Sequence, residues 1–156
     1  PYLASLAVGL HKCLEQSHDR LAIDQAFEQF LVALIERQRD FREGLGERFD
    51  GAARDPIITT MRDYIHHTYD QDIGLDDVAR MGGLSRYQAL RRFKAAVGMT
   101  PHAYLVDRRV RAARQFLAAG DSPADVASQC GFYDQSHLNR VFKRRVGTTP
   151  AQYRRG

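Results

Sequence analysis

The chain has 156 residues, 44% of them hydrophobic, with 23 Lys and Arg against 19 Asp and Glu, two cysteines and no Trp. That length buries one ordinary core or two small ones, and Cys13 and Cys130 are too few for a disulfide framework, so both read as reduced, cytosolic thiols. No apolar run approaches the roughly 20 residues of a membrane helix, no signal peptide opens the chain, and Pro1 in place of an initiator Met points to a piece of a longer protein.

The first 40 residues read as two amphipathic helices. Leu3, Leu6, Ala7, Leu10, Cys13 and Leu14 keep the three-and-four spacing of a single apolar stripe. After a polar break at Ser17-His18-Asp19, the residues Ile23, Ala26, Phe27, Phe30, Leu31, Leu34 and Ile35 do so again. Two such stripes need each other and a further partner, which makes residues 1–40 a candidate dimer or docking segment. Residues 41–55 dissolve into charges with Gly44, Gly46 and Gly51, a linker composition.

From Pro56 onward every signal is helical, giving an all-α fold. Ile57, Ile58, Met61 and Ile65 mark one helix ending near Tyr69, and Leu75, Val78, Ala79 and Met81 mark a short second one stopped by Gly82-Gly83. Ser85 caps a third helix that Gly98 closes. Thr100-Pro101 opens a long helix to Ala119, Ser122-Pro123 a short one ended by Gly131, and residues from about Asp134 to Val146 form the next. Thr149-Pro150 opens the last.

Within this series one passage occurs twice. Phe93, Lys94, Val97, Gly98, Thr100, Pro101 and Tyr104 recur as Phe142, Lys143, Val146, Gly147, Thr149, Pro150 and Tyr153, always 49 residues on. Each copy ends a short helix, a glycine-containing turn and a basic helix, which is the helix-turn-helix pattern that lays its second helix in the DNA major groove. The first unit covers about residues 75–98, the second 122–147, and the helix 101–119 joins them. Charge follows the repeat: residues 1–55 hold 7 Lys/Arg and 10 Asp/Glu, and residues 56–156 hold 16 and 9. The duplicated, basic part therefore suits a polyanion.

At 100° per residue Arg86, Tyr87, Leu90, Arg91 and Lys94 share an arc of about 140°, opposite Ala89 and Phe93. The same shift of 49 gives Gln135, Ser136, Asn139, Arg140 and Lys143, opposite Leu138 and Phe142. Arg91 and Arg140 have the chemistry to pair with guanine O6 and N7, and Gln135 and Asn139 with adenine N6 and N7. Tyr87 and Leu90 offer apolar contact to thymine methyl groups. Ser85, Arg92, Lys94, Lys143, Arg144 and Arg145 suit phosphates, which fix position without reading sequence. One basic face alone is usually just solvated, but two matched faces behind matched turns favour DNA. The joining helix adds a length argument: about 19 residues span roughly 28 Å, near the 34 Å between successive major grooves.

These residues resemble the AraC/XylS-type transcriptional regulators. The first motif is Ala79-x3-Gly83-Leu84-Ser85-x5-Arg91-x-Phe93-Lys94-x3-Gly98-x2-Pro101-x2-Tyr104. The second, more specific one is met by Val126-Ala127, Gly131-Phe132, Ser136, Leu138, Arg140, Phe142-Lys143, Gly147, Pro150 and Tyr153-Arg154. Ala89 departs from the larger apolar residue usual in the family. The resemblance covers about residues 56–155 and implies a seven-helix DNA-binding domain. It further implies that Arg86, Tyr87, Leu90 and Arg91 face one groove and Gln135, Ser136, Asn139 and Arg140 the next. Residues 1–40 are similar to the helical tail of a sensor and dimerisation domain, which implies an effector sensed upstream, a homodimer through that tail, promoter DNA as ligand and RNA polymerase as a further partner. A cytoplasmic, nucleoid-associated protein fits that reading, with protein-partner regulation through residues 1–40 as the alternative.

Other chemistries find no footing. Adjacent His66 and His67 point in different directions on a helix and chelate poorly together. Asp76-Asp77 fit the first turn of a helix, where the dipole favours acids. No P-loop, nucleophile elbow, zinc-ligand spacing or dinucleotide fingerprint occurs, so neither a cofactor nor catalysis is expected.

Overall fold

A computed structural model describes residues 2–16, 23, 26–34 and 55–156. Among them every regular element is helical: α1 (Tyr2–Gln16), α2 (residues 26–34), α3 (Pro56–Thr68), α4 (Leu75–Met81), α5 (Arg86–Val97), α6 (Pro101–Ala118), α7 (Pro123–Gln129), α8 (Gln135–Val146) and α9 (Pro150–Arg155). The polar break at 17–19, Ile35 and all of the expected linker except Asp55 lie outside the described residues. On α1, Leu6, Ala7, Leu10 and Cys13 are half-buried, whereas Val8 and Leu14 are exposed.

Local chemistry explains most helix ends. Asp55 accepts the Ile57 N–H at 3.0 Å ahead of Pro56, and the Ser85 hydroxyl accepts the Gln88 N–H at 3.2 Å while the Gln88 amide oxygen accepts the Ser85 N–H at 3.0 Å. Thr149 and Gln152 repeat this box at α9, with the Gln152 N–H 3.2 Å from the Thr149 hydroxyl, while at α6 the Thr100 hydroxyl accepts the Ala103 N–H at 3.1 Å with no return bond from the alanine. At α7 the Ser122 hydroxyl accepts the Asp125 N–H and itself donates to the Asp125 carboxylate, so no reciprocal bond to the Ser122 N–H forms.

The chain divides into two compact units. The first comprises residues 1–64 and 74–103. In it α4 packs on α5, with Leu75, Val78 and Ala79 of the one and Ala89, Leu90 and Phe93 of the other buried. A methyl group on Gly82, in the turn between them, would stand 3.0 Å from Ile57 and 3.1 Å from Met61, so α3 lies against that turn.

The second unit comprises residues 65–73 and 104–156. Its core is continuous: Val106, Val110, Ala113 and Leu117 of α6 meet Val126 and Ala127 of α7, then Leu138 and Phe142 of α8, with Cys130 and Phe132 between. Burial pushes the Cys130 thiol up to about 11, so it stays protonated and acts as a small apolar side chain.

A buried arginine ties this core to the end of α3. Arg109 is 2% exposed, and its Nε and Nη2 donate to the carbonyls of Tyr69 at 2.6 Å and Gln71 at 2.7 Å. Tyr69 directly follows α3, where a helix leaves carbonyls without intrahelical donors and a charged donor opposes the negative end of the dipole; Gln71 belongs to the turn beyond. Between those two carbonyls, Asp70 presses on the turn of the second motif, where a Cβ on Gly131 would lie 2.7 Å from its oxygen. Gly131 has φ +73° besides, so that position needs glycine on both counts.

Candidate nucleic-acid interface

In each unit a short helix, a turn and a longer helix follow one another with the expected polarity. After α4 the Leu84 N–H bonds the Ala79 carbonyl at 3.0 Å, and after α7 the Phe132 N–H bonds that of Ala127 at 2.9 Å. These equivalent bonds are 48 residues apart, whereas the N-caps Ser85 and Asp134 are 49 apart. The second turn is one residue longer, and Tyr133 is the addition. It is 67% exposed, at the foot of α8, and its N–H donates to His137 Nδ1 at 3.4 Å. The offset of 49 holds only from the N-caps onward, so the repeat itself does not reveal Tyr133.

α8 separates a buried side from a polar one along the division that the sequence pattern gives. Leu138, Phe142 and His137 face inward, the His137 N–H held by the Asp134 carboxylate at 2.6 Å and its ring set edge-on to Phe132. Gln135, Ser136, Arg140 and Lys143 are exposed and Asn139 is half-buried, so one polar stripe runs along the outer side. Lys143, Arg144 and Arg145 are exposed in the last turn, where the helix dipole favours positive charge. Arg145 also stands 3.8 Å from Asp107, which pairs more closely with Arg111 at 2.8 Å.

α5 departs from the expectation in three places. Leu90, expected at the groove, is 0% exposed and belongs to the core. It sits three residues before Phe93, on the inward side, and the small Ala89 beside it leaves the core needing another apolar side chain. Arg92, expected at a phosphate, is instead held by Asp55 at 2.6 Å. Burial raises the Asp55 carboxyl, but the Arg92 guanidinium and the N–H groups of Ile57 and Ile58 outweigh it and hold the carboxyl below its ordinary 3.8. Arg86 is half-buried, its guanidinium 4.2 Å above the Phe27 ring and its Nε 3.1 Å from Asp76. Tyr87 is exposed, Arg91 and Lys94 are half-buried, and the exposed Ser85 spends its hydroxyl oxygen on the cap.

Residues 78–156 match the family profile described as a helix-turn-helix domain. The chain belongs to the AraC family of helix-turn-helix transcriptional regulators. It is 32% identical over 131 residues to the uncharacterised HTH-type transcriptional regulator YbfI of Bacillus subtilis, covering 83% of this chain and 46% of that one. It is also 32% identical over 99 residues to the regulatory protein SoxS of Salmonella typhimurium, covering 63% of this chain and 92% of that one. The DNA-binding domain of AdpA, solved in complex with a target DNA, superposes with a TM-score of 0.59 at 31% identity, over 65% of this chain and 91% of that one. The chain thus spans about half the length of YbfI and nearly all of SoxS.

What matches is the family's helix-turn-helix domain, over residues 78–156. The paired helix-turn-helix units are the family's DNA-binding fold. Among the described residues no helix is long and apolar enough to cross a membrane, and no group of three or more His, Cys, Asp or Glu is placed to hold a metal ion. His66 instead shares a hydrogen bond with the Tyr104 hydroxyl at 2.8 Å. Arg109 is the structural residue that sequence reasoning passed over, because its partners are backbone carbonyls 38 and 40 residues away.

Proposed function

We propose that α8 reads base edges with Gln135, Ser136, Asn139 and Arg140 while Lys143, Arg144 and Arg145 neutralise phosphates. The observation that carries this is the exposed polar stripe of α8 set opposite its buried Leu138 and Phe142. Arg140 suits guanine O6 and N7, and Gln135 and Asn139 suit adenine N6 and N7. Tyr133, exposed where a reading helix enters the groove, adds a hydroxyl for a phosphate or sugar.

α5 is the second reading helix in this proposal, with Arg86, Tyr87 and Arg91 toward bases and Ser85 and Lys94 toward phosphates. Leu90 and Arg92 drop out of the set for the reasons given above. The repeat of 49 residues and the uninterrupted α6 support reading of two successive major grooves by one chain. The ligand is double-stranded promoter DNA, with RNA polymerase as a partner at the promoter and an effector sensed by sequence outside this chain.

Selection of bound sequences from random duplexes tests the reading, because it reports both base preference and spacing. Two conserved blocks about one helical turn apart support it, and a single block would confine base reading to one helix. A dimer through residues 1–40 has its own support in Val8 and Leu14, both exposed on α1. Leu14→Glu should then shift the chain from dimer to monomer in gel filtration, and an unchanged elution would remove α1 from the interface.

A further inference from the structure

We infer that α2 and DNA compete for Arg86, so that docked α2 holds the first reading helix out of use. The inference rests on the reading of α5 as a DNA-facing helix, and its test separates the two. Two neighbouring residues of α2 make the contacts. Phe27 lies under the Arg86 guanidinium, 4.2 Å from ring centroid to Cζ, well inside the reach of a cation–π interaction. Glu28, only 4% exposed, accepts the His102 N–H at 3.0 Å.

Each contact takes something that DNA binding would use or oppose. Arg86 is the first residue of α5, and the N-terminal residues of a recognition helix are those that reach base edges. With Phe27 on one face of the guanidinium and Asp76 3.1 Å from its Nε, one face and one edge of the planar group are already engaged, and turning it toward a guanine means giving up these contacts. The bulk of α2 excludes the duplex as well, since a helix with its side chains is about 10–12 Å across. Glu28 occupies a backbone N–H in the first turn of α6, one of those a helix leaves without an internal acceptor, and the positive end of the dipole favours its carboxylate there. That carboxylate repels approaching phosphates. Sequence position makes the arrangement a latch: Phe27 and Glu28 are consecutive, so α2 engages the starts of α5 and α6 together and leaves both together.

The latch is weak enough to work as a switch. A partly exposed cation–π contact shifts an equilibrium by roughly 2- to 30-fold, a range that operator binding can override.

The test is a two-residue cycle in the full chain, on a duplex selected for binding. Phe27→Leu keeps the apolar bulk and removes the π face. It should tighten DNA binding by about 2- to 10-fold, and the tightening should vanish when Arg86→Ala is also present. Unchanged or weaker binding by Phe27→Leu, or the same tightening without Arg86, overturns the latch. Arg86→Ala introduced into the Phe27→Leu chain reads the DNA contact by itself, with a loss of about 10-fold or more expected. No loss there takes Arg86 off the DNA and the competition with it, whereas a loss combined with a neutral Phe27→Leu overturns the latch alone and leaves the reading of α5 standing.

Discussion

Gly131 and Gly147 form a matched pair in which backbone strain can be separated from close packing. Both adopt positive φ, +73° and +87°. An alanine at either incurs the left-handed cost of an L-residue, about 1–2 kcal/mol, and the same gain from a stiffer unfolded chain. Their surroundings differ. A Cβ on Gly147 meets nothing within 4 Å, whereas one on Gly131 meets the Asp70 carbonyl oxygen at 2.7 Å and that of Tyr69 at 2.9 Å. Those atoms are backbone, and Arg109 holds the carbonyls on either side of Asp70 in place. They cannot swing away as a side-chain tip would, so an overpacking cost of about 1–3 kcal/mol is added. Gly147→Ala should therefore lose about 1–2 kcal/mol and Gly131→Ala roughly 2–5 kcal/mol. Urea unfolding followed by circular dichroism reads both, through midpoints at constant slope. Equal losses would show that the approach of Asp70 is not tight and would refute the account of the second turn.

Further substitutions probe the interface and the core. Arg140→Ala should cost about 1–3 kcal/mol and relax preference at one base position, and equal weakening on specific and random duplexes would remove it from base reading. Lys143→Ala should lower affinity on all sequences and flatten the log-salt slope by about one unit, so an unchanged slope would take it off the phosphates. Leu90→Ala should cost about 2–5 kcal/mol of stability by opening a cavity; a normal melting temperature with altered base preference would restore it to the groove. Asp55, with its carboxyl held below 3.8, contributes stability that is present above that value and lost as pH falls through its folded value. Asp55→Asn should thus be less stable than the wild type at pH 7, by up to about 1 kcal/mol. The gap should narrow as the pH falls below 3.8 and close once it is below the folded value, and a gap that did not narrow at all would assign the effect to something other than the charge.

Much of the fold was legible because caps and glycines act within a few residues of themselves. Ser85, Thr100, Ser122, Asp134 and Thr149 stand at helix starts, and each side-chain bond they make to a backbone N–H reaches three residues along the chain. The outward stripe of α8 was legible for a similar reason, since Leu138 and Phe142 leave no ambiguity about which side is buried. α5 was harder. Ala89 marks its inward side only faintly, so Leu90, one step around the helix, was placed on the wrong side of a boundary that periodicity alone does not resolve. The contacts of Arg86, Arg92 and Arg109 were not legible for another cause. Their partners lie 59, 37 and about 40 residues away in Phe27, Asp55 and Tyr69. Nothing near an arginine in sequence says whether a distant ring, carboxylate or carbonyl will claim it.

The extra residue in the second turn limits how the two copies can be exchanged. A graft that begins at the N-cap carries Ser85–Gly98 onto Asp134–Gly147 in register, whereas one that begins in the preceding helix arrives a residue out of step and rotates the whole reading face by about 100°. The reverse graft, second copy onto first, is unequal even when aligned, because Asn139 would fall where Leu90 is sealed in the core and would bring a buried amide without a partner. The two halves can therefore drift toward different target sequences through their outward residues, but position 90 binds the first half to a smaller alphabet than the second.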